Sequence, residues 1–421
     1  MQAVYDAVVI GSGFGGAVSA LRLAEADHSV LVLERGGHFS ADQPNSGETF
    51  WRYAESTEQR GLYDLRFMSD MATLSASGVG GGSLIDNHIF YRPPAEVFED
   101  PRWPEEISLE TLEPCFQRVE RMLEVSAPAP EIESPQRDLF WKAAAKMGRE
   151  AWDFPVSKCW TAHDGPVKKI SLCQNYLKRA EIYGAEIKAG HLVSYIAATD
   201  TEGYDVHFEN TVTGEKGVVR GLRIVLAAGT LGTHEILLRS RDEMKSLNSL
   251  SRKLGQGYSA NGSFLGVLYD APVNLRALNG QDVRSGILFP DACPEFLLTT
   301  QALSHQAMDI LAMSGSPRAS GLFAKLSASV WRHALGLLTS ALRKQGRLRR
   351  RLSLVFQPIG SAGRMMLLFA MGMDNANGRI VYREGQVDII WPYAIENQVL
   401  IERQQAAMRQ LARQYRAKYR P

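Results

Sequence analysis

The chain has 421 residues, of which 45% are hydrophobic and 22% charged, and its formal net charge is +1. That length exceeds a single core of ~100–200 residues, so two domains are expected, and the composition excludes disorder, collagen and coiled coil. The near-neutral balance excludes nucleic acid as a partner of the whole chain.

In chain order, Tyr5–Ile10 reads as a buried strand, Gly11-Ser12-Gly13-Phe14-Gly15-Gly16 as a glycine turn, and Ala17–Ala26 as a helix. Val30–Leu33 is a second apolar strand, ending in Glu34-Arg35-Gly36. Together these form a complete βαβ unit. Gly37 to Met71 is polar and irregular, and Gly78-Val79-Gly80-Gly81-Gly82-Ser83 is the most glycine-dense point. Leu109–Leu123 predicts an amphipathic helix, and Pro128, Pro130 and Pro135 mark a connector. Val193–Ile196, Tyr204–Glu209 and Gly217–Arg220 predict short antiparallel strands. Arg223–Gly229 reads as a separate buried strand, with a helix through Leu238 after it. Strands and loops follow to Pro294, and Phe323–Leu342 is helical. Arg364–Met373, Gly378–Tyr382 and Gln386–Ile390 return to strands, and Gln398–Tyr419 closes the chain as a helix.

The first glycine cluster sits where dinucleotide chemistry needs it. Gly11 permits the tight turn, Gly13 lets backbone approach a pyrophosphate, and Gly16 lets helix and strand pack closely. The helix start offers free N–H groups and partial positive charge to phosphates. Glu34 ends the second strand, in place to accept hydrogen bonds from a ribose diol, and its charge disfavours a 2′-phosphate. The bland alternative is a tight βα turn without a ligand. The cysteines Cys115, Cys159, Cys173 and Cys293 have neither CxxC nor zinc-finger spacing, so no metal site is expected. Scattered reduced thiols suit a cytoplasmic protein. Neither a signal peptide nor a spanning helix is expected.

From Gly78 to Leu84 the chain resembles the flavin-contacting loop of the glucose–methanol–choline oxidoreductase family, in its cholesterol oxidase branch. Ile224–Leu238, Leu247–Gly262, His191-Leu192-Val193 and Gly378–Asn397 resemble further family segments. The resemblance implies an α/β fold: a Rossmann-like FAD-binding domain with a second α+β substrate domain of antiparallel sheet plus helices. The FAD domain is expected at 1–40, 68–95 and 170–265, and the substrate domain at 41–67, 96–169 and 266–395. The 396–421 stretch is expected to be a terminal helix leading into an absent segment. The implied FAD-binding residues are Gly11, Gly13, Phe14, Gly16, Glu34, Arg35, Gly78, Gly81, Gly82, Ser83, Asp86, Asn87, Val193, Ala228 and Gly229. The implied activity is oxidation of the CH–OH group of a small-molecule alcohol, lipophilic or sterol-like, by hydride transfer to flavin N5.

Three departures from the family stand out. The histidine and asparagine stretches that bind the family's substrate hydroxyl are absent, so no catalytic residue is assigned, and one strand of the nucleotide-binding sheet is expected to be missing. The alternative reading is therefore a C-terminally truncated, catalytically incomplete flavin-binding or membrane-surface protein. Asp86-Asn87-His88 replaces the family's asparagine and small residues, placing a carboxylate near the flavin. No acid aligns with the glutamate of the cholesterol oxidase branch in Glu295–Thr299.

Between Asp309 and Asp374 there is no acidic residue, while arginines and lysines from Arg318 to Arg351 alternate with Leu322, Leu326, Val330 and Trp331. Segment 318–352 reads either as a solvated helix covering the second domain or as a peripheral membrane contact, which would add membrane association to a cytoplasmic location.

Overall fold

The computed structural model describes residues 4–39, 61–86, 88–128, 135–159, 168–272, 284–292, 294–301 and 364–421. The basic segment 318–352, with its expected helix, lies outside the described residues, as do Asn87 and Cys293.

The strands in the first half are β1 (Val4–Ile10), β2 (Val30–Leu33), β3 (Tyr63–Phe67), β4 (Ala72–Ala76), β5 (Ala151–Asp153), β6 (Lys158–Cys159), β7 (Lys168–Lys169), β8 (Glu186–Lys188) and β9 (His191–Ala198). Then come β10 (Tyr204–Asn210), β11 (Lys216–Leu226), β12 (Gln256–Tyr258), β13 (Phe264–Tyr269), β14 (Ser285–Phe289), β15 (Phe296–Gln301), β16 (Met366–Gly372), β17 (Gly378–Arg383), β18 (Gln386–Ile390) and β19 (Lys418–Arg420). The helices are α1 (Phe14–Glu25), α2 (Leu109–Met122), α3 (Pro135–Lys146), α4 (Lys178–Ile182), α5 (Gly229–Leu238), α6 (Tyr393–Glu396) and α7 (Gln398–Gln414).

The first sheet has the order β8-β2-β1-β11-β10-β9. β1 runs parallel to β2 and β11, whereas β10 is antiparallel to both β11 and β9. Burial on both faces explains the unbroken apolar runs of β1 and β2. Val9, Val30 and Val32 pack with α1, and Val8, Ile10, Leu31 and Leu33 pack with Phe208 and Ile236. Each such side chain contributes about 1.5–3 kcal/mol by leaving water. The strands expected separately at 217–220 and 223–229 are joined. Gly217–Arg220 and Arg223–Leu226 are a single strand, β11, which pairs with β10 through Gly221 and with β1 from Arg220 onward. The strand changes partner as it passes from the meander into the parallel sheet. Among the described residues, its Arg223–Leu226 half has a partner only in β1.

The second sheet, β19-β13-β16-β15-β14-β5, is antiparallel. One face packs on α3 and α7 around Leu268, Ile287, Leu298, Met366, Leu368 and Ala370. α7 buries Leu400, Ile401, Gln404, Ala407, Met408, Leu411 and Ala412, a spacing of three and four that makes one stripe. The expected closing helix through Tyr419 stops earlier. α7 ends at Gln414, the chain turns at Arg416 with φ of 53°, and β19 adds an edge strand to β13. Pro135 was expected in a connector, yet it begins α3; proline suits a helix's first position because its missing N–H has no intrahelical acceptor there.

A third sheet, β12-β17-β18, is built around Trp391, which is fully buried. The first strand of the β3–β4 hairpin lies in the stretch expected to be irregular, and the expected 67/68 domain boundary falls inside the hairpin. Its turn docks on the third sheet: Ser69 donates through N–H and Oγ to Asp388 at 2.8 and 2.5 Å, and the Trp391 N–H donates to Asp70 at 2.5 Å. Among the described residues, no helix is long and apolar enough to cross a membrane.

Candidate functional site

The two glycine clusters meet at the carboxyl ends of β1 and β2. Glu34 is buried at the end of β2, and its Oε2 accepts the Ser12 N–H at 3.0 Å and the Ser12 hydroxyl at 2.7 Å. Its Oε1 accepts the Gly36 N–H at 3.0 Å. The Ser12 Oγ in turn accepts the Gly80 N–H at 3.0 Å. A single hydroxyl thus ties the first loop, the second loop and the acid together. Contact between the loops leaves no room for side chains. A Cβ on Gly81, whose φ is 53°, would fall 2.6 Å from the Gly13 Cα, and one on Gly16 would fall 1.9 Å from the Gly11 carbonyl oxygen. Glycine is required at both for the backbones to approach.

Above the loops lies a cavity of about 790 Å³. Its floor is Ile10 to Gly15, where α1 follows its N-cap Gly13 with no side chain capping it. Such an N-terminus presents unsatisfied N–H groups to an anion. One side is formed by Arg35 and by His191 to Ser194, the start of β9, which is held to the acid's backbone by the His191 N–H donating to the Glu34 carbonyl at 2.8 Å. Gly81, Gly82, Ile85 and Asp86 form another side, and Ala227 to Gly229 with Gly232, Glu235, Ile236 and Arg239 close the cavity from α5.

Of the residues picked out from sequence, Gly11, Gly13, Phe14, Glu34, Arg35, Gly81, Gly82, Asp86, Val193, Ala228 and Gly229 line this cavity. Gly16, Gly78 and Ser83 are not among its lining residues. Their work is in the loops themselves: the buried Ser83 hydroxyl donates to the Gly80 carbonyl at 2.7 Å and accepts the Leu172 N–H at 3.2 Å. Asn87 lies outside the described residues.

Sequence reading missed Ser12, Tyr63, Arg66, Glu235 and Arg239. Arg66 Nε lies 3.0 Å from Asp64 and its Nη1 2.9 Å from Glu235, while Arg35 Nη2 lies 2.8 Å from the same Asp64 oxygen. This chain of charges fastens the β3–β4 hairpin to the end of β2 and to α5, so Tyr63, Arg66, Leu74, Ser75 and Ala76 cover the cavity. Burial pushes the Asp64 carboxyl up, against the pull of Arg35, and burial pulls the Arg66 guanidinium down, against Glu235. The partners are 169 residues apart, and the hairpin has no strict alternation to announce it. Burial also raises the Cys173 thiol, which donates to the Val79 carbonyl beneath the second loop. Among the described residues, no cluster of His, Cys, Asp and Glu has the geometry to hold a metal ion.

A parallel strand–turn–helix with two interlocked glycine loops, an acid after the second strand and an antiparallel second sheet defines a Rossmann-like α/β fold with a second domain. The family model for GMC oxidoreductase matches residues 5–251, and the chain belongs to that family. It is similar to a cholesterol oxidase of Mycobacterium tuberculosis (29% identical over 299 residues, 61% of this chain and 51% of the relative). A cholesterol oxidase of Acinetobacter baumannii is 26% identical over 312 residues, 63% of this chain and 56% of the relative. The chain therefore spans about half the length of these curated relatives. The crystal structure of pyridoxine 4-oxidase from Mesorbium loti shares the fold, with a TM-score of 0.61 at 16% identity, covering 96% of this chain and 80% of that one.

Proposed function

We propose that the chain binds FAD and belongs to an oxidoreductase acting on the CH–OH group of a lipophilic alcohol. The observation that carries the reading is the cavity over two glycine loops joined through Ser12. The residues fit the cofactor on three counts. The volume lies within the ~300–1,000 Å³ of cofactor sites. An uncapped helix N-terminus adjoins the floor, where a pyrophosphate belongs. The loop backbones are bare of side chains at their closest approach.

Gly11, Gly13, Phe14 and Gly15 hold the pyrophosphate, and Arg35 with His191 to Ser194 flank the adenosine beside Glu34. Gly81, Gly82, Ile85 and Asp86 face the flavin. When bound, FAD would supply the two-electron acceptor for oxidation of the alcohol. The protein's part is to orient that ring and to exclude water from it with the β3–β4 hairpin. Likeness to cholesterol oxidases supports a sterol-like substrate.

A second reading, a flavin-binding chain that does not turn over alcohol unaided, is favoured by one observation. Among the described residues, the histidine lining the cavity is His191, on the adenosine side. The test is the visible spectrum of the purified chain with FAD, before and after anaerobic addition of sterols and long-chain alcohols. Bound flavin that bleaches with an alcohol supports the first reading. Bound flavin that never bleaches supports the second, and a chain that takes up no FAD overturns both.

A further inference from the structure

Asp86 lines the cavity just beyond the second glycine loop, with its side chain 35% exposed. One residue holds its Oδ1: the His88 N–H donates to it at 3.3 Å, and the same residue's Nε2 lies 3.2 Å away at ion-pair distance. His88 is 2% exposed and holds φ of 54°, in the left-handed region. Its carbonyl accepts the Ser157 N–H at 3.0 Å, so the residue is anchored from behind while its ring folds back onto Asp86.

The other charged groups of the cavity are engaged elsewhere. Glu34 is held by Ser12 and Gly36, Arg35 by Asp64, Arg66 by Asp64 and Glu235, and Arg239 by Tyr382. The acid that ends the second strand marks the adenosine side, and the helix start marks the pyrophosphate. Asp86 stands past Gly81 and Gly82, on the side left for the flavin ring.

Resting on the FAD reading above, we propose that Asp86 and His88 form a charge-compensated pair that sets the reduction potential of the bound flavin. A carboxylate in the cavity wall opposes the electron-rich reduced ring, since charges interact strongly where water is excluded. The His88 ring, 3.2 Å from Asp86 Oδ1, offsets part of that opposition. Asp86 acts through its charge and His88 through Asp86, so both are tuning residues, neither being a proton acceptor for the alcohol.

The experiment is a spectroelectrochemical titration of the FAD-loaded full chain at one fixed pH. Asp86→Asn keeps the shape and removes the charge. It is expected to raise the preference for reduced over oxidised FAD at least tenfold, an upward shift of about 30 mV for a two-electron couple. His88→Asn retains a residue that tolerates the left-handed backbone, and a downward shift of similar size is expected. In the Asp86→Asn background the same change is expected to shift the potential less than it does in the unaltered chain, because the carboxylate charge is gone. If His88→Asn does not fold, Asp86→Asn decides alone. Bound FAD whose preference for the reduced form changes by less than twofold in Asp86→Asn overturns the pair's role and leaves the FAD reading standing. An unaltered chain that takes up no FAD overturns both.

Discussion

The Ser12 hydroxyl donates to Glu34 at 2.7 Å while accepting the Gly80 N–H at 3.0 Å, so one buried oxygen joins two loops 68 residues apart. Ser12 is 0% exposed, and no water can substitute for either bond without rearrangement. The acid that sequence reading assigned to a ribose therefore also holds the protein's own backbone, through Ser12 and Gly36.

Ser12→Ala would leave the Gly80 N–H and one Glu34 lone pair buried without a partner. Each unmade bond costs about 1–3 kcal/mol, so a stability loss of about 2–4 kcal/mol is expected in urea unfolding. FAD affinity, read by fluorescence titration, is expected to fall at least about tenfold, equivalent to ~1.4 kcal/mol. Full affinity in the variant would show that the loops hold their places without the bridge.

Arg66 sits between Asp64 and Glu235, with 12% of its side chain exposed. Arg66→Met strands Glu235 and leaves Asp64 to Arg35, and removing one partner of a buried pair costs at most about 3–5 kcal/mol. Arg66→Lys is expected to restore only part of it, because an ammonium lacks the planar fork that reaches both acids. Hydrogen exchange should quicken in the Tyr63–Phe67 and Ala72–Ala76 strands before the first sheet loosens. Uniform exchange across the molecule would argue against a hairpin fastened by this cluster.

Tyr415 is packed in the second core, and its hydroxyl has no hydrogen-bond partner among the described residues. Burial pushes the Tyr419 phenol up to about 12, and those of Tyr393 and Tyr415 further. The unfolded phenols ionise near ~10, so above that pH the native state binds more protons than the unfolded one. Stability is therefore expected to fall as pH rises from about 10 toward the folded values. Tyr415→Phe removes one such group and its unmet hydroxyl. It should stabilise the chain by about 1 kcal/mol and move alkaline unfolding, followed by circular dichroism, to higher pH. An unchanged alkaline midpoint would place the sensitivity in other groups.

The sequence by itself determined the local elements whose causes are local. β1, α1 and β2 follow from apolar runs broken by a glycine turn, and Gly16 and Gly81 are glycines because backbones cross there. It also carried the family likeness, which the match over residues 5–251 shows. Tertiary structure decided what depends on partners distant in the chain. Ser12 looks like filler between two glycines until Gly80 and Glu34 arrive beside it. β11 is continuous only because β10 and β1 take successive halves of it. The β3–β4 hairpin owes its place to Arg35, Glu235 and Asp388, which no pattern within residues 63–76 could announce. The physical reason is the same in each case. A hydrogen bond or ion pair between remote segments is stable once packing has excluded water around it, and periodicity along the chain records only which face is buried.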